Sequence, residues 1–219
     1  MNSDQRAIVQ KIADEVKSKF EGEGSGHDWW HILRVWNIAK HIVGNESADD
    51  FIVELGALLH DIADWKFCDG DDTVGPKVAR QILEKYSVSA EVTQRVCDII
   101  ATISFKGAGV KTNMKTLEGE IVQDADRLDA IGAIGIARTF TYGGYKGRPM
   151  HDPSQKPSLH QSKKDYYKNE SPTINHFYEK LLLLKDRMNT KTAKVLAEDR
   201  HQFMEDYLNR FFQEWNGKI

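Results

Sequence analysis

One short segment, FIVELGALLHD (residues 51–61), constrains the fold more than any other part of the sequence. The pattern over about residues 48–63 is apolar almost all round a helix, which predicts a central helix that other elements must surround. The segment ends in the polar pair His60-Asp61. Because burying an imidazole and a carboxylate is costly unless something pairs with them, this pair needs a partner.

Helical periodicity extends through most of the remaining chain. In the first helix, Ile8, Ile12, Val16 and Phe20 repeat every four residues. Capping residues and glycines delimit further helices over about residues 28–43, 72–86, 89–105, 117–137, 173–184 and 190–215. The helix over 117–137 can break at Gly132 or Gly135. Because no region is rich in strands, we predict an all-α bundle that forms a single domain over residues 1–219.

Composition and charge argue against several classes of partner. The chain of 219 residues has a net charge of −3, which gives no general attraction for nucleic acid or an anionic membrane. No apolar stretch is long enough to span a bilayer, and the charged N-terminus has no signal-peptide pattern. The cysteines, Cys68 and Cys97, have no metal-binding spacing and fit a reducing compartment. We therefore predict a cytoplasmic protein with no nucleic-acid or membrane partner.

Two further polar residues accompany His60-Asp61 on other predicted helices. His31 lies on the helix over 28–43, and Asp126 lies within DADRLDAIG on the helix over 117–137. Three helices could therefore bring two imidazoles and two carboxylates to one point inside the bundle. Nitrogen and oxygen ligands of this kind suit an octahedral divalent cation, which would be the partner of the buried pair. Such a cation polarises a phosphoryl oxygen and lowers the pKa of bound water.

The stretches HDWWHILRV, LGALLHDIADW and DADRLDAIG resemble, in order and spacing, the motifs of the HD-domain superfamily of metal-dependent phosphohydrolases. The resemblance implies an HD-type core over about residues 20–140, with the C-terminal helices (about 173–215) packing on it. It implies four metal ligands, His31, His60, Asp61 and Asp126. Mn²⁺ is the favoured ion, with Mg²⁺, Co²⁺, Ni²⁺ and Fe²⁺ as alternatives. Asp126, directly before Arg-Leu, matches the pattern; Asp124 could orient a ligand histidine or be a surface carboxylate.

Other polar residues are candidates for contacts with water and substrate. Asp64 stands one helical turn beyond His60-Asp61, and the resemblance suggests that it handles the proton of the attacking water; it could instead cap the following turn. Candidate phosphate contacts, each of which could also be a solvated surface residue, are His27, Arg34, Lys66, Arg127, His176 and Lys180. The loop over 143–168 has six Lys or Arg against two Asp, and it could be a lid over an anionic substrate or a disordered basic segment.

The resemblance to small stand-alone bacterial HD hydrolases implies a phosphorylated, nucleotide-type substrate. Cleavage of a nucleoside triphosphate to monophosphate and pyrophosphate is the favoured case, while nucleoside monophosphatase and phosphodiesterase activities use the same ligands and stay open. A di-iron oxygenase would need extra ligands, and no histidine lies between Asp61 and Asp126. A non-catalytic nucleotide-sensing module is disfavoured because all four ligands are present. A homodimer stays open through Trp29, Trp30, Phe211, Phe212 and Trp215, although core positions are favoured for these aromatic residues.

Overall fold

The structure is a computed structural model that describes residues 1–20, 28–63, 73–105, 107–110, 112–159 and 170–219. Within these residues it has nine α-helices and no β-strand, which confirms the all-α prediction. The helices are α1 (Ser3–Lys19), α2 (Trp29–Val43), α3 (Asp50–Leu59), α4 (Val74–Lys85), α5 (Ala90–Thr102), α6 (Leu117–Asp129), α7 (Gly132–Tyr145), α8 (Asn175–Glu179) and α9 (Lys191–Trp215). Two 3₁₀ turns, Leu181–Leu183 and Lys185–Arg187, follow α8.

The chain divides into two compact units. The first comprises Met1–Phe105 and Thr112–Asp126, and the second comprises Lys106–Lys111 and Arg127–Ile219. All four predicted metal ligands belong to the first unit. The single-domain organisation over 1–219, with the C-terminal helices packed on the core, stays a prediction. Among the described residues, no helix combines the length and the apolar character that crossing a lipid bilayer requires.

Helix α3 is the centre of the first unit. It packs against α1, α2 and α5, so every residue from Phe51 to Leu59 is buried. The side chain of Asp49 caps the helix by accepting hydrogen bonds from the backbone N–H groups of Phe51 and Ile52. Fully burying each large aliphatic or aromatic side chain stabilises the fold by about 1.5–3 kcal/mol. The prediction of a central buried helix is confirmed.

Helix α3 ends earlier than the apolar pattern predicts. The pattern continues to about Ala63, but the helix ends at Leu59 and residues 60–63 form a turn. The last carbonyl groups of a helix have no donor within the helix, and the Nδ1 atom of His60 lies 2.8 Å from the carbonyl oxygen of Ala57. The side chain of His60 thus satisfies one of these carbonyl groups. The polar pair consequently lies in a turn and not inside the helix.

The helix predicted over 117–137 is two helices. α6 ends at Asp129, and α7 begins at Gly132, whose φ of +73° is in the left-handed region that favours glycine. The break therefore falls at one of the two predicted glycines.

α7 also continues to Tyr145, although the sequence pattern assigns Gly143 and Gly144 to the loop over 143–168. Packing requires a glycine at position 143 of this helix, because a Cβ atom there would overlap the Thr173 hydroxyl group.

Two other predictions, one for the C-terminal helices and one for exposed aromatic residues, are wrong in part. The helix predicted over 173–184 is limited to α8, because Lys180 has φ −143° and ψ −59°, which interrupt the helical ladder before the two 3₁₀ turns. The core positions predicted for the aromatic residues also fail for Trp30, which is 61% exposed, and for Trp215, which is 46% exposed. Trp30 lies in the first turn of α2, away from the buried Ile32 and Val35.

Candidate metal centre

The four predicted metal ligands lie close together in the first unit, where both aspartates are near the two histidine side chains. His31 lies in the first turn of α2, His60 and Asp61 lie in the turn after α3, and Asp126 lies in α6. The Nε2 atoms of the two histidines are 3.2 Å apart. Asp61 Oδ2 lies 3.4 Å from His31 Nε2 and 3.7 Å from His60 Nε2. Asp126 Oδ1 lies 3.6 Å and 3.8 Å from the same two nitrogens.

The backbone fixes the position of a proton on one of these imidazoles. The Nδ1 atom of His60 lies 2.8 Å from the carbonyl oxygen of Ala57, and a carbonyl oxygen can only accept a hydrogen bond. Nδ1 therefore carries a proton, and the Nε2 atom of the neutral ring presents its lone pair to the cluster. Histidines that bind metals commonly donate their other N–H group to a backbone carbonyl in this way.

The distances within the cluster suit a divalent cation. With ligand bonds of about 2.1 Å, adjacent ligands of an octahedral cation lie about 3.0 Å apart and opposite ligands about 4.2 Å apart. The separation of the two Nε2 atoms and the distances from these atoms to the carboxylate oxygens all fall between these values. One ligand atom from each of His31, His60 and Asp126 lies within 4.8 Å of the others, so this group could hold a metal ion. His31, His60 and Asp126 therefore fit a divalent cation of the kind that the sequence predicts, and the role of Asp61 as a fourth ligand stays a prediction.

The cluster is buried on its imidazole side and open on its carboxylate side. The side chains of His31 and His60 are 1% exposed, whereas those of Asp61 and Asp126 are 19% and 35% exposed. Two carboxylates this close to the same nitrogens repel each other, and a cation would offset that repulsion.

A hydrogen bond joins α2, on which His31 lies, to α3, which His60 directly follows. The Nε1 atom of Trp36 on α2 donates to Oε2 of Glu54 on α3 at 2.7 Å. Glu54 is buried, and it is the only carboxylate between Phe51 and Leu59. Because α2 carries His31 and α3 leads into His60, this bond helps to hold the two imidazoles at their short separation.

The carboxylate of Glu118 links α6 to two other helices of the first unit. It accepts a hydrogen bond at 3.2 Å from the backbone N–H of Asp49, the residue that caps α3, and it pairs with Arg95 of α5 at 2.9 Å. Burial raises the pKa of Glu118, but backbone hydrogen bonds and the Arg95 charge outweigh burial and hold this pKa below its ordinary value. The ionised carboxylate thus helps to position α6, which carries Asp126.

Asp124 precedes Asp126 by two residues on α6. It is fully buried, with 0% exposure, so the alternative that it is a surface carboxylate is wrong. Residues two positions apart point to different sides of a helix, so Asp124 and Asp126 do not lie on the same side of α6. Its use in orienting a ligand histidine stays a prediction.

The other predicted contact residues of the first unit are only partly described. His27, Asp64 and Lys66 lie outside the described residues. Arg34 is half-buried on α2, one turn after His31, so it lies on the same helix as a candidate ligand. Its role as a phosphate contact stays a prediction.

The remaining predicted contacts lie in the second unit. The buried Arg127 donates to the backbone carbonyl of Arg187, which gives it a structural contact within this unit. His176 is half-buried in α8, and the half-buried Lys180 follows the last residue of that helix. The predicted lid over 143–168 lies partly outside the described residues, which exclude 160–169. Substrate binding by these groups stays a prediction.

Sequence reasoning missed the pairing of Glu54 with Trp36. The signal was visible in part, because a carboxylate in the apolar stretch FIVELGALL needs a partner once it is buried. No comparable signal pointed to Trp36 as the donor, since helical spacing leaves several side chains of α2 facing α3. The same reasoning placed Trp30 in the core.

Comparison with known proteins gives the family of the chain. The sequence model of the HD domain matches residues 29–131. The uncharacterized protein YpgQ of Bacillus subtilis is 41% identical over 212 residues, which cover 95% of this chain and 94% of YpgQ. The crystal structure of YpgQ in complex with ADP superposes with a TM-score of 0.76 and 37% identity, covering 96% of each chain.

Two other solved structures are also similar over nearly the whole chain. A protein of Lactobacillus plantarum has a TM-score of 0.86 and 34% identity, with 99% of each chain covered. An HD-superfamily hydrolase of Bacillus thuringiensis has a TM-score of 0.75 and 44% identity, with 97% of this chain and 98% of the other covered. The chain belongs to the HD-domain family. It is a metal-dependent phosphohydrolase.

Proposed function

We propose that this hydrolase acts on nucleotides, and that it cleaves a nucleoside triphosphate to the monophosphate and pyrophosphate. The proximity of His31, His60, Asp61 and Asp126 supports the proposal, because these side chains could hold a cation and the two carboxylates are partly exposed. A nucleotide substrate is supported by the relative YpgQ, whose structure was solved in complex with ADP.

In this proposal the four residues hold one divalent cation, with Mn²⁺ as the favoured ion. When bound, the cation supplies Lewis-acid stabilisation of charge on a phosphoryl oxygen and makes water more acidic. His60 contributes Nε2, because its Nδ1 is committed to the Ala57 carbonyl. The buried Asp124 is proposed to orient one of the ligand histidines.

The remaining residues of the proposed site accept a proton from water and bind the charged phosphates of the substrate. The oxygen of a water molecule forms a new bond to the α-phosphorus, while the bond from that phosphorus to the bridging oxygen of the leaving pyrophosphate breaks. Asp64 accepts the proton that the water releases, a form of catalysis typically worth ~10²–10⁴ in rate. The proposed phosphate contacts are His27, Arg34, Lys66, Arg127, His176 and Lys180. We also propose that the protein works in the cytoplasm; a homodimer stays a prediction.

The function is tested with purified protein that has been stripped with a chelator. Nucleoside mono-, di- and triphosphates and cyclic nucleotides are incubated with Mn²⁺, Mg²⁺, Co²⁺ or Ni²⁺, and orthophosphate and pyrophosphate are measured separately. We expect pyrophosphate from triphosphates only in the presence of a metal. Orthophosphate from monophosphates, or cleavage of a cyclic nucleotide, would replace the proposed reaction by a phosphatase or a phosphodiesterase.

Two variants connect this activity to the candidate metal centre. His31→Ala removes a proposed ligand from α2 and should abolish turnover. His41→Ala removes an exposed histidine from the last turn of the same helix and should leave turnover unchanged. Full turnover by the His31 variant, or by wild-type protein freed of metal, would refute the assignment.

A further inference from the structure

Trp30 is distinctive among the apolar residues of the first unit. Within the described residues of this unit it is the only large apolar side chain that is exposed, and its exposure is 61%. One exposed aromatic side chain is common on protein surfaces and has no meaning by itself. The position of Trp30 is what calls for an explanation.

Trp30 directly precedes His31, a proposed metal ligand, in the first turn of α2. Consecutive side chains on a helix point about 100° apart, so Trp30 and His31 leave the same helical turn in different directions. His31 is buried and Trp30 faces solvent. Asp28 caps this turn by accepting a hydrogen bond at 2.9 Å from the backbone N–H of His31, which holds the first turn in place.

The covalent structure of a nucleotide matches this arrangement. Its phosphates carry the charge that a metal centre attracts, and its base is a flat ring joined to the phosphates through the sugar. A tryptophan next to a phosphate-binding centre can therefore cover the base while the phosphates occupy the centre. Arg34 lies four residues after Trp30, a spacing that places both on the same side of α2.

We propose that Trp30 stacks on the base of the substrate nucleotide, a contact that rests on the proposed function of the metal centre. Stacking uses the π face that every base has, so it is tolerant of base identity. The hydrolase should accept several bases, with purines bound more tightly than pyrimidines because their rings cover more of the indole. Trp30 then contributes to substrate affinity and leaves the chemical step to the metal centre.

The test separates the base from the phosphates. ATP and inorganic tripolyphosphate, which lacks a base, are titrated into the Mn²⁺-loaded enzyme, and KM and kcat are measured for wild type, Trp30→Ala and Trp30→Phe. Loss of stacking should raise the KM for ATP by roughly 5- to 150-fold in Trp30→Ala, with kcat little changed. The KM for tripolyphosphate should stay within about twofold of the wild-type value. Trp30→Phe, which keeps a flat ring, should recover most of the ATP affinity.

A binding measurement keeps this proposal separate from the proposed reaction. ATP stacked on Trp30 should quench part of the fluorescence of the five tryptophans, and Trp30→Phe should remove this quenching. Trp215→Phe replaces the other exposed tryptophan among the described residues, and this variant should still show the quenching by ATP. If ATP binds with this signature but no nucleotide is hydrolysed, the proposed reaction fails and the stacking role survives. Equal losses for ATP and tripolyphosphate in Trp30→Ala, an unchanged KM for ATP, or quenching that persists in Trp30→Phe would overturn the role of Trp30.

Discussion

The Nε2 atoms of His31 and His60 lie 3.2 Å apart, although 29 positions separate the two histidines in the chain. Their rings meet edge to face, with an interplanar angle of 71°. Because Nδ1 of His60 donates to a backbone carbonyl, two ring nitrogens face each other in a space lined by two carboxylates. This relationship is the basis of the candidate metal centre, and metal binding there can be tested without any assay of turnover.

Metal binding should stabilise the wild-type protein through this pair. A ligand at a hundredfold excess over its Kd raises the free energy of unfolding by about 2.7 kcal/mol. We therefore expect Mn²⁺ to raise the Tm of chelator-treated wild type and of His41→Ala, but not that of His60→Ala. Differential scanning calorimetry measures the three shifts. An equal Mn²⁺-dependent shift in His60→Ala would mean that the ion binds elsewhere.

Trp36→Phe should destabilise the first unit, because the carboxylate of Glu54 loses its indole donor inside the protein. A buried group left without its hydrogen bond costs about 1–3 kcal/mol, and urea unfolding measures this loss. Trp215→Phe makes the same chemical change at an exposed site and should cost much less. Equal stabilities of the two variants would show that the Trp36–Glu54 bond contributes nothing.

Glu118→Gln should lower stability at neutral pH and have a smaller effect in acid. The pKa of Glu118 is lowered in the folded protein, so the stabilisation by its charge is fully present above the unfolded-state pKa. It is lost as the pH falls through the folded-state pKa. We expect a difference from wild type of about 1–3 kcal/mol at pH 7 that shrinks below about pH 4.

The control for this pH dependence is Glu84→Gln, which changes an exposed glutamate on α4. Unfolding curves at several pH values should give this variant nearly the wild-type profile. A loss in Glu118→Gln that is the same at every pH would assign its effect to shape or packing, and not to ionisation of the carboxylate.

Gly132→Ala should destabilise the second unit by about 1–2 kcal/mol, because its φ of +73° is unfavourable for an L-residue. A Cβ atom there would also lie 3.0 Å from Cγ of Arg200. Gly144→Ala is the matched control, since Gly144 is helical and a Cβ atom would meet nothing within 4 Å. Alanine at 144 should stabilise the protein by about 0.5–1 kcal/mol. Thermal unfolding that ranks the two variants in the opposite order would show that the backbone at Gly132 tolerates a side chain.

The fold was predictable wherever local pattern and burial agree. The apolar stretch before His60 predicts the central helix α3, and caps such as Ser89 and Thr190 predict where α5 and α9 begin. Prediction failed where long-range packing overrides the pattern. Gly143 is typical of a loop in the sequence pattern, yet it lies in α7, where close packing against Thr173 leaves no room for a side chain.

The candidate site also combines features that local sequence patterns predict with features that depend on long-range packing. The all-α class and the side chains that could bind a cation follow from the sequence alone, because periodicity and ligand chemistry are local properties of the chain. Four other features are visible only in three dimensions: α3 ends before His60, Asp124 is buried, Glu54 pairs with Trp36, and Trp30 faces solvent. Each of these depends on which surfaces of separate helices meet, and the spacing of residues within one helix does not specify its neighbours.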